Sequence, residues 1–122
     1  MNTLKSVRQE IGFQLGAVGI PHYEFIPARV NVPAALIEPG SPYMEQADTF
    51  AEFTIRMSVV LLVSGSNNEE ATDELDQLIV TAIDALDTFD IESVSSPDGF
   101  EINAAQYLGT RVNLITTKDL II

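Results

Sequence analysis

Between residues 52 and 63 the apolar positions fall on every second residue. Phe53, Ile55, Met57, Val59, Leu61 and Val63 alternate with Glu52, Thr54, Arg56 and Ser58. A two-residue period belongs to a strand with one buried face, so the pattern predicts a strand over Thr49–Ser64. From Val59 onward both faces turn apolar, which marks that end as covered on both sides and the strand as central. The period then changes. Ala71, Leu75, Leu78, Ala82 and Leu86 recur at helical intervals, with Ile79 and Ile83 widening the stripe. Asn67 or Asn68 is the cap, and Glu69 and Glu70 occupy the first turn, where the helix dipole favours negative charge. The short 65–68 connection folds this helix directly back over its strand.

The same stripe appears at the start of the chain. Leu4, Val7, Ile11, Leu15 and Val18 predict a first helix capped by Asn2 or Thr3 and stopped by Gly19, with Pro21 beyond it. Gly12 and Gly16, four apart, lie on one side and would admit close approach of another backbone. Residues 20–48 break the periodicity. Pro21, Pro27, Pro33 and Pro39 fall six apart, and the apolar pieces between them, Tyr23–Ile26 and Val32–Ile37, read as edge strands or extended arms, because proline donates nothing to a ladder. Pro39-Gly40-Ser41-Pro42 reads as a turn, and Tyr43–Asp48 as an exposed loop. Ile91–Val94 is a short strand, Ser96-Pro97-Asp98-Gly99 a turn, and Phe100–Ile102 its antiparallel return. Tyr107–Thr116 is the last strand, with Leu108, Val112 and Leu114 facing one way and Arg111 and Asn113 the other. The sum is one α+β domain over residues 1–122, a mainly antiparallel sheet with two helices packed on one face.

Charge and composition narrow the function. Six basic residues against eighteen acidic ones give a net charge of −12, which disfavours nucleic acid phosphates and anionic membranes as partners. No stretch is long and apolar enough to span a bilayer, and Arg8, Gln9 and Glu10 interrupt any signal-peptide core. The chain has no cysteine and a single histidine. Disulfides, thiolate metal sites and Cys–His pairs are therefore excluded within one chain.

His22 opens a strand piece, and no serine stands in a nucleophile-elbow context to use it. It reads as an ordinary surface or half-buried residue. Asp73 with Asp76, and Asp84 with Asp87, have the spacing to share a helix face as hard-metal ligands, but a solvated face explains them as well, and no calcium-loop spacing is present. No catalytic residue, metal ligand or cofactor site is expected.

Arg56 and Arg111 stand mid-strand on the face opposite the apolar one. They read either as cross-strand partners of Glu52 or another carboxylate, or as a docking face for the acidic helix of a second copy. Tyr43 and Met44, beside the proline turn, are candidate interface anchors. The alternative is that Tyr43 folds back as a lid over the open end of the sheet. The apolar tail Leu120, Ile121 and Ile122 completes the candidate interface set.

Several pieces taken together resemble the tail terminator (tail completion) proteins of long-tailed bacteriophages, particularly those of actinobacterial hosts. They are Val32-Pro33-Ala-Ala-Leu-Ile-Glu-Pro39-Gly40-Ser-Pro42-Tyr43, Thr49-Phe50 opening a long strand, Leu75-Asp76-x-Leu78-Ile79 in the next helix, and Tyr107-Leu108 before the last strand. The resemblance covers nearly the whole chain in order. It implies a non-enzymatic α+β virion subunit, assembled in the host cytoplasm, that closes into a hexameric ring on the tail tube. That ring ends tube polymerisation and meets the head–tail connector protein. Its partners would be itself, the major tail tube protein and that connector, with no cofactor, no membrane and no specific nucleic-acid binding. An acidic lumen would let DNA slide through. Head-completion and neck connector proteins share this size and acidity. From a different class, an acidic inhibitor of a basic partner would use the 69–92 surface.

Overall fold

The computed structural model describes residues 3–48, 51–65 and 69–119. Thr49, Phe50, the caps Asn2, Asn67 and Asn68, and the tail Leu120, Ile121 and Ile122 lie outside these. The first helix, α1 (Thr3–Ala17), leads into a two-residue strand, β1 (His22–Tyr23). Two long strands follow, β2 (Ala34–Gln46) and β3 (Glu52–Ser64), then the second helix, α2 (Glu69–Ala85). The chain ends with β4 (Asp90–Val94), β5 (Asp98–Ile102) and β6 (Ala105–Asp119). The sheet order is β1-β2-β3-β6-β4, with β5 also on β6, and every pairing except β1 with β2 is antiparallel. The fold is α+β, with both helices on one face.

β3 is central, and its alternation sets the two layers. Ile55, Met57, Val59, Leu61 and Val63 join Val7, Ile11 and Leu15 of α1, and Leu75, Leu78 and Ala82 of α2, in the main core. On the other face Val60 and Leu62 form a second core with Ala34, Leu36 and Val30, flanked by Tyr23, Val32, Phe100, Ile102 and Tyr107. This end of β3 is covered on both sides, as its doubly apolar sequence requires. The second cover is residues 24–33, a strap lying across the sheet.

The end of α1 is built as its glycine demands. Gly19 adopts φ +79°, its N–H donates to the Gly16 carbonyl, and the Ile20 N–H donates to the Leu15 carbonyl. These two bonds make a Schellman stop, with Ile20 and Leu15 both in the core beneath it. Val18 falls past the last helical turn and is exposed, not part of the buried stripe. The space beside Gly12 and Gly16 is filled by the His22 imidazole rather than by a backbone. A Cβ on Gly12 would come within 2.8 Å of His22 Nε2.

Two local turn readings are overturned. Pro39-Gly40-Ser41-Pro42 does not reverse the chain; β2 runs through it. The register passes from Pro39↔Met57 to Met44↔Ile55, so residues 40–43 bulge opposite Arg56 alone. Gly40 lies so close over Arg56 that a Cβ there would be 2.7 Å from the Arg56 Cβ. β1 covers β2 only at Ala35 and Leu36, so both prolines sit where the strand has a free edge or a bulge, the places a missing N–H is tolerated.

Nor do β4 and β5 form a hairpin with each other. They run end to end in one direction along β6, β4 against Val112–Ile115 and β5 against Ala105–Gly109. Ser95 bridges the break: its N–H donates to the Arg111 carbonyl, and its hydroxyl accepts from the Arg111 N–H at 2.9 Å. The buried Thr110 hydroxyl donates to the Ser95 carbonyl. The hairpin lies instead at Asn103-Ala104, both at positive φ (50° and 69°), with Ile102 paired to Ala105. This is the two-residue type I′ turn whose twist matches that of the strands.

Candidate functional site

Polar chemistry gathers on the half of the second sheet face that the strap leaves open. Arg56, Ser58, Arg111 and Asn113 project there from β3 and β6, as their strand parity requires, around a cleft of about 310 Å³ also lined by Glu38 and Glu92. The two arginines do come together on neighbouring strands. Each already has partners within the chain. Arg56 donates from Nη1 to Glu45 Oε1, and its Nε lies 3.5 Å from Glu92 Oε2. Arg111 donates to Glu38 Oε1 from Nη2 at 2.7 Å and from Nε at 3.1 Å, and its guanidinium lies 5.7 Å from the Phe100 ring centroid. The hydrogen bond to Glu45 chiefly, opposed by desolvation and reinforced by the charges of Glu45 and Glu92, holds the Arg56 guanidinium above its ordinary pKa.

Between the arginines, the Ser58 hydroxyl donates to Asn113 Oδ1 at 2.8 Å, and Asn113 Nδ2 donates to the Ser93 hydroxyl at 2.9 Å. Two cations facing three carboxylates leave neither guanidinium free to clamp an anionic ligand. The cross-strand pairing reading describes this face, with Glu38, Glu45 and Glu92 as the carboxylates rather than Glu52.

The other sequence candidates are scattered. Tyr43 and Met44 are half-buried in β2 and pack against the main core, and the Tyr43 hydroxyl accepts a hydrogen bond from Arg8 Nη2 at 3.0 Å. The exposed loop expected at Tyr43–Asp48 is therefore strand as far as Gln46, and no turn holds these side chains off the sheet. His22 is half-buried in β1, against α1. Among the described residues no group of three or more His, Cys, Asp or Glu side chains is placed to hold a metal ion.

Sequence reasoning missed the surface that stands out. Phe25 is 77% exposed and Ile26 68%, adjacent at the tip of the strap. Their neighbours in sequence, Tyr23 and Val30, turn inward to the second core. Asn103 Nδ2 donates to the carbonyls of Pro27 and Ala28 at 2.8 and 3.0 Å, so the strap is fastened while its tip faces water. Tyr23–Ile26 reads as a strand piece, and that reading conceals the outward pair. Val80, on the outer face of α2, is 64% exposed.

No model of a known protein family matches the chain, and no curated protein matches it. No helix among the described residues is long and apolar enough to cross a membrane.

Proposed function

We propose that this chain is a structural subunit of a tailed bacteriophage that assembles into a ring at the head-proximal end of the tail tube, ends tube polymerisation and joins the tail to the head connector. The reading starts from the residues that resemble tail terminators. The observation that carries it is the distribution of exposed groups: large apolar side chains stand uncovered on both layers, Phe25 and Ile26 on the strap and Phe13 and Val80 on the helices, while the polar face is tied up in its own ion pairs. The adjacent pair Phe25 and Ile26 supports an assembly reading, since contiguous exposed apolar groups mark interaction surfaces.

Adding the protein to polymerising tail tubes should fix their length and place density at one end in electron micrographs. Unchanged lengths with bare ends overturn the reading. A neck or head-completion protein would leave the tubes bare but bind the isolated connector. An inhibitor is the alternative favoured by the exposed acids Asp73, Asp76, Asp84 and Asp87 of α2 and the turn after it. It would bind one basic protein tightly, with affinity falling steeply as salt rises.

A further inference from the structure

We infer that the tip of the strap is the anchor of a head-to-tail contact with the outer face of α2 on a second copy of this chain; this rests on the ring reading above and names its interface. Phe25 and Ile26 leave most of their apolar surface in water, available for burial against a partner. The strap is a preorganised presenter of this pair. β1 is paired to β2 on one side of it, and Asn103 holds the Pro27 and Ala28 carbonyls on the other. Little ordering is then needed on docking.

Charge identifies the occupant. Arg29, three residues beyond Ile26, is exposed, and its guanidinium forms no ion pair among the described residues. A cation three residues from an apolar pair on one strap calls for an apolar spot with an acidic rim, and α2 presents one. Val80 is exposed with the half-buried Ile83 one turn along, and the exposed Asp76 and Asp84 flank Val80 at four residues either side. Residues at that spacing are neighbours on one helix face.

The strap and α2 lie on opposite faces of the sheet, the strap over the second core and α2 over the first. The two surfaces cannot meet within one chain. Nor is the contact self-complementary: it is heterologous, and repeating it gives a closed ring or a filament rather than a two-fold dimer. Phe25 and Ile26 supply the affinity against Val80, and Arg29 pairing with one of the flanking acids, Asp76 or Asp84, sets the register.

The chain contains no cysteine, so an introduced pair reports cleanly. Ile26→Cys protein mixed with Val80→Cys protein under mild oxidation should give a mixed disulfide, while neither variant alone should link to itself. A chain carrying both changes should give a ladder of covalent oligomers. In sedimentation, Phe25→Ser with Ile26→Ser should weaken self-association roughly 30-fold, as expected for a true anchor. Arg29→Glu should weaken it too, and Asp76→Lys with Asp84→Lys should restore it on that background. All these positions are exposed, so folding is not at stake.

Disulfides between two Ile26→Cys chains, or a wild-type oligomer with no mixed disulfide, overturn this interface while leaving the ring reading intact. A wild type that stays monomeric at every salt concentration, forms no mixed disulfide and leaves tubes uncapped overturns both.

Discussion

Gly12 and His22 make one small packing device. Glycine inside a helix costs about 1 kcal/mol against alanine, and here the vacancy is filled by the imidazole, whose Nε2 would be 2.8 Å from an added Cβ. Gly12→Ala should therefore gain little or nothing in the wild-type chain, because the ring must turn aside. On a His22→Ala background the same change should stabilise by about 1 kcal/mol. Urea denaturation of the four proteins measures the coupling, and additive effects would show that the two positions are independent. Tyr43 offers a second test at this scale. Its ring packs on the main core and its hydroxyl accepts from Arg8. Tyr43→Phe should cost about 0.5–1.5 kcal/mol, the net worth of one hydrogen bond, and Tyr43→Ser clearly more. Equal melting temperatures for the wild type and Tyr43→Ser would return this residue to the surface.

The element that ties the fold together is β6. One of its edges holds all thirteen pairs with β3, from Glu52↔Asp119 to Ser64↔Tyr107. The other edge holds β4 and β5 in succession. Its hairpin turn also reaches the strap, because Asn103 both adopts the positive φ that the turn requires and donates its amide to two strap carbonyls. Asn103→Gly separates these roles: glycine accepts the turn geometry but has no side chain to hold the strap. We expect a stability loss of about 1–3 kcal/mol for the bonds removed, and faster amide exchange over residues 24–33 with β6 little changed. Unaltered protection in the strap would show that Val30 and Tyr23 fasten it without the asparagine.

At the scale of the whole molecule the net charge of −12 dominates. Copies repel one another at low ionic strength, and screening with a Debye length of roughly 8 Å at physiological salt relieves most of that repulsion. Light scattering should therefore show mass rising with salt, since apolar contact at the strap is not weakened by screening. Mass falling with salt would mean that ion pairs, not apolar anchors, hold the assembly. The same charge predicts no binding to duplex DNA, because counterion release needs clustered cations, and Arg56 and Arg111 are already paired within the chain. Micromolar affinity in a low-salt anisotropy titration would contradict this.

The sequence by itself determined the two helices, the central strand, the core-facing stripes of α2 and β3 and the α+β class. Burial periodicity is a local property, written in the order of residues such as Ile55, Met57 and Val59, and survives whatever the strands pair with. It also placed Arg56 and Arg111 on one face. Only the tertiary structure decided their carboxylate partners, because Glu38 and Glu45 of β2 and Glu92 of β4 reach them through sheet order and register, not through spacing. Turn chemistry misled for the same reason. Pro39-Gly40-Ser41-Pro42 and Ser96-Pro97-Asp98-Gly99 have the composition of reversals, yet each lies along a longer strand that keeps offering ladder partners. Pairing along β3 and β6 outweighs local preference, and a bulge or a short break accommodates the prolines. Phe25 and Ile26 turn outward for a non-local reason too. Tyr23 and Val30 on either side of them pack into the second core, while Phe25 and Ile26 between them stay exposed.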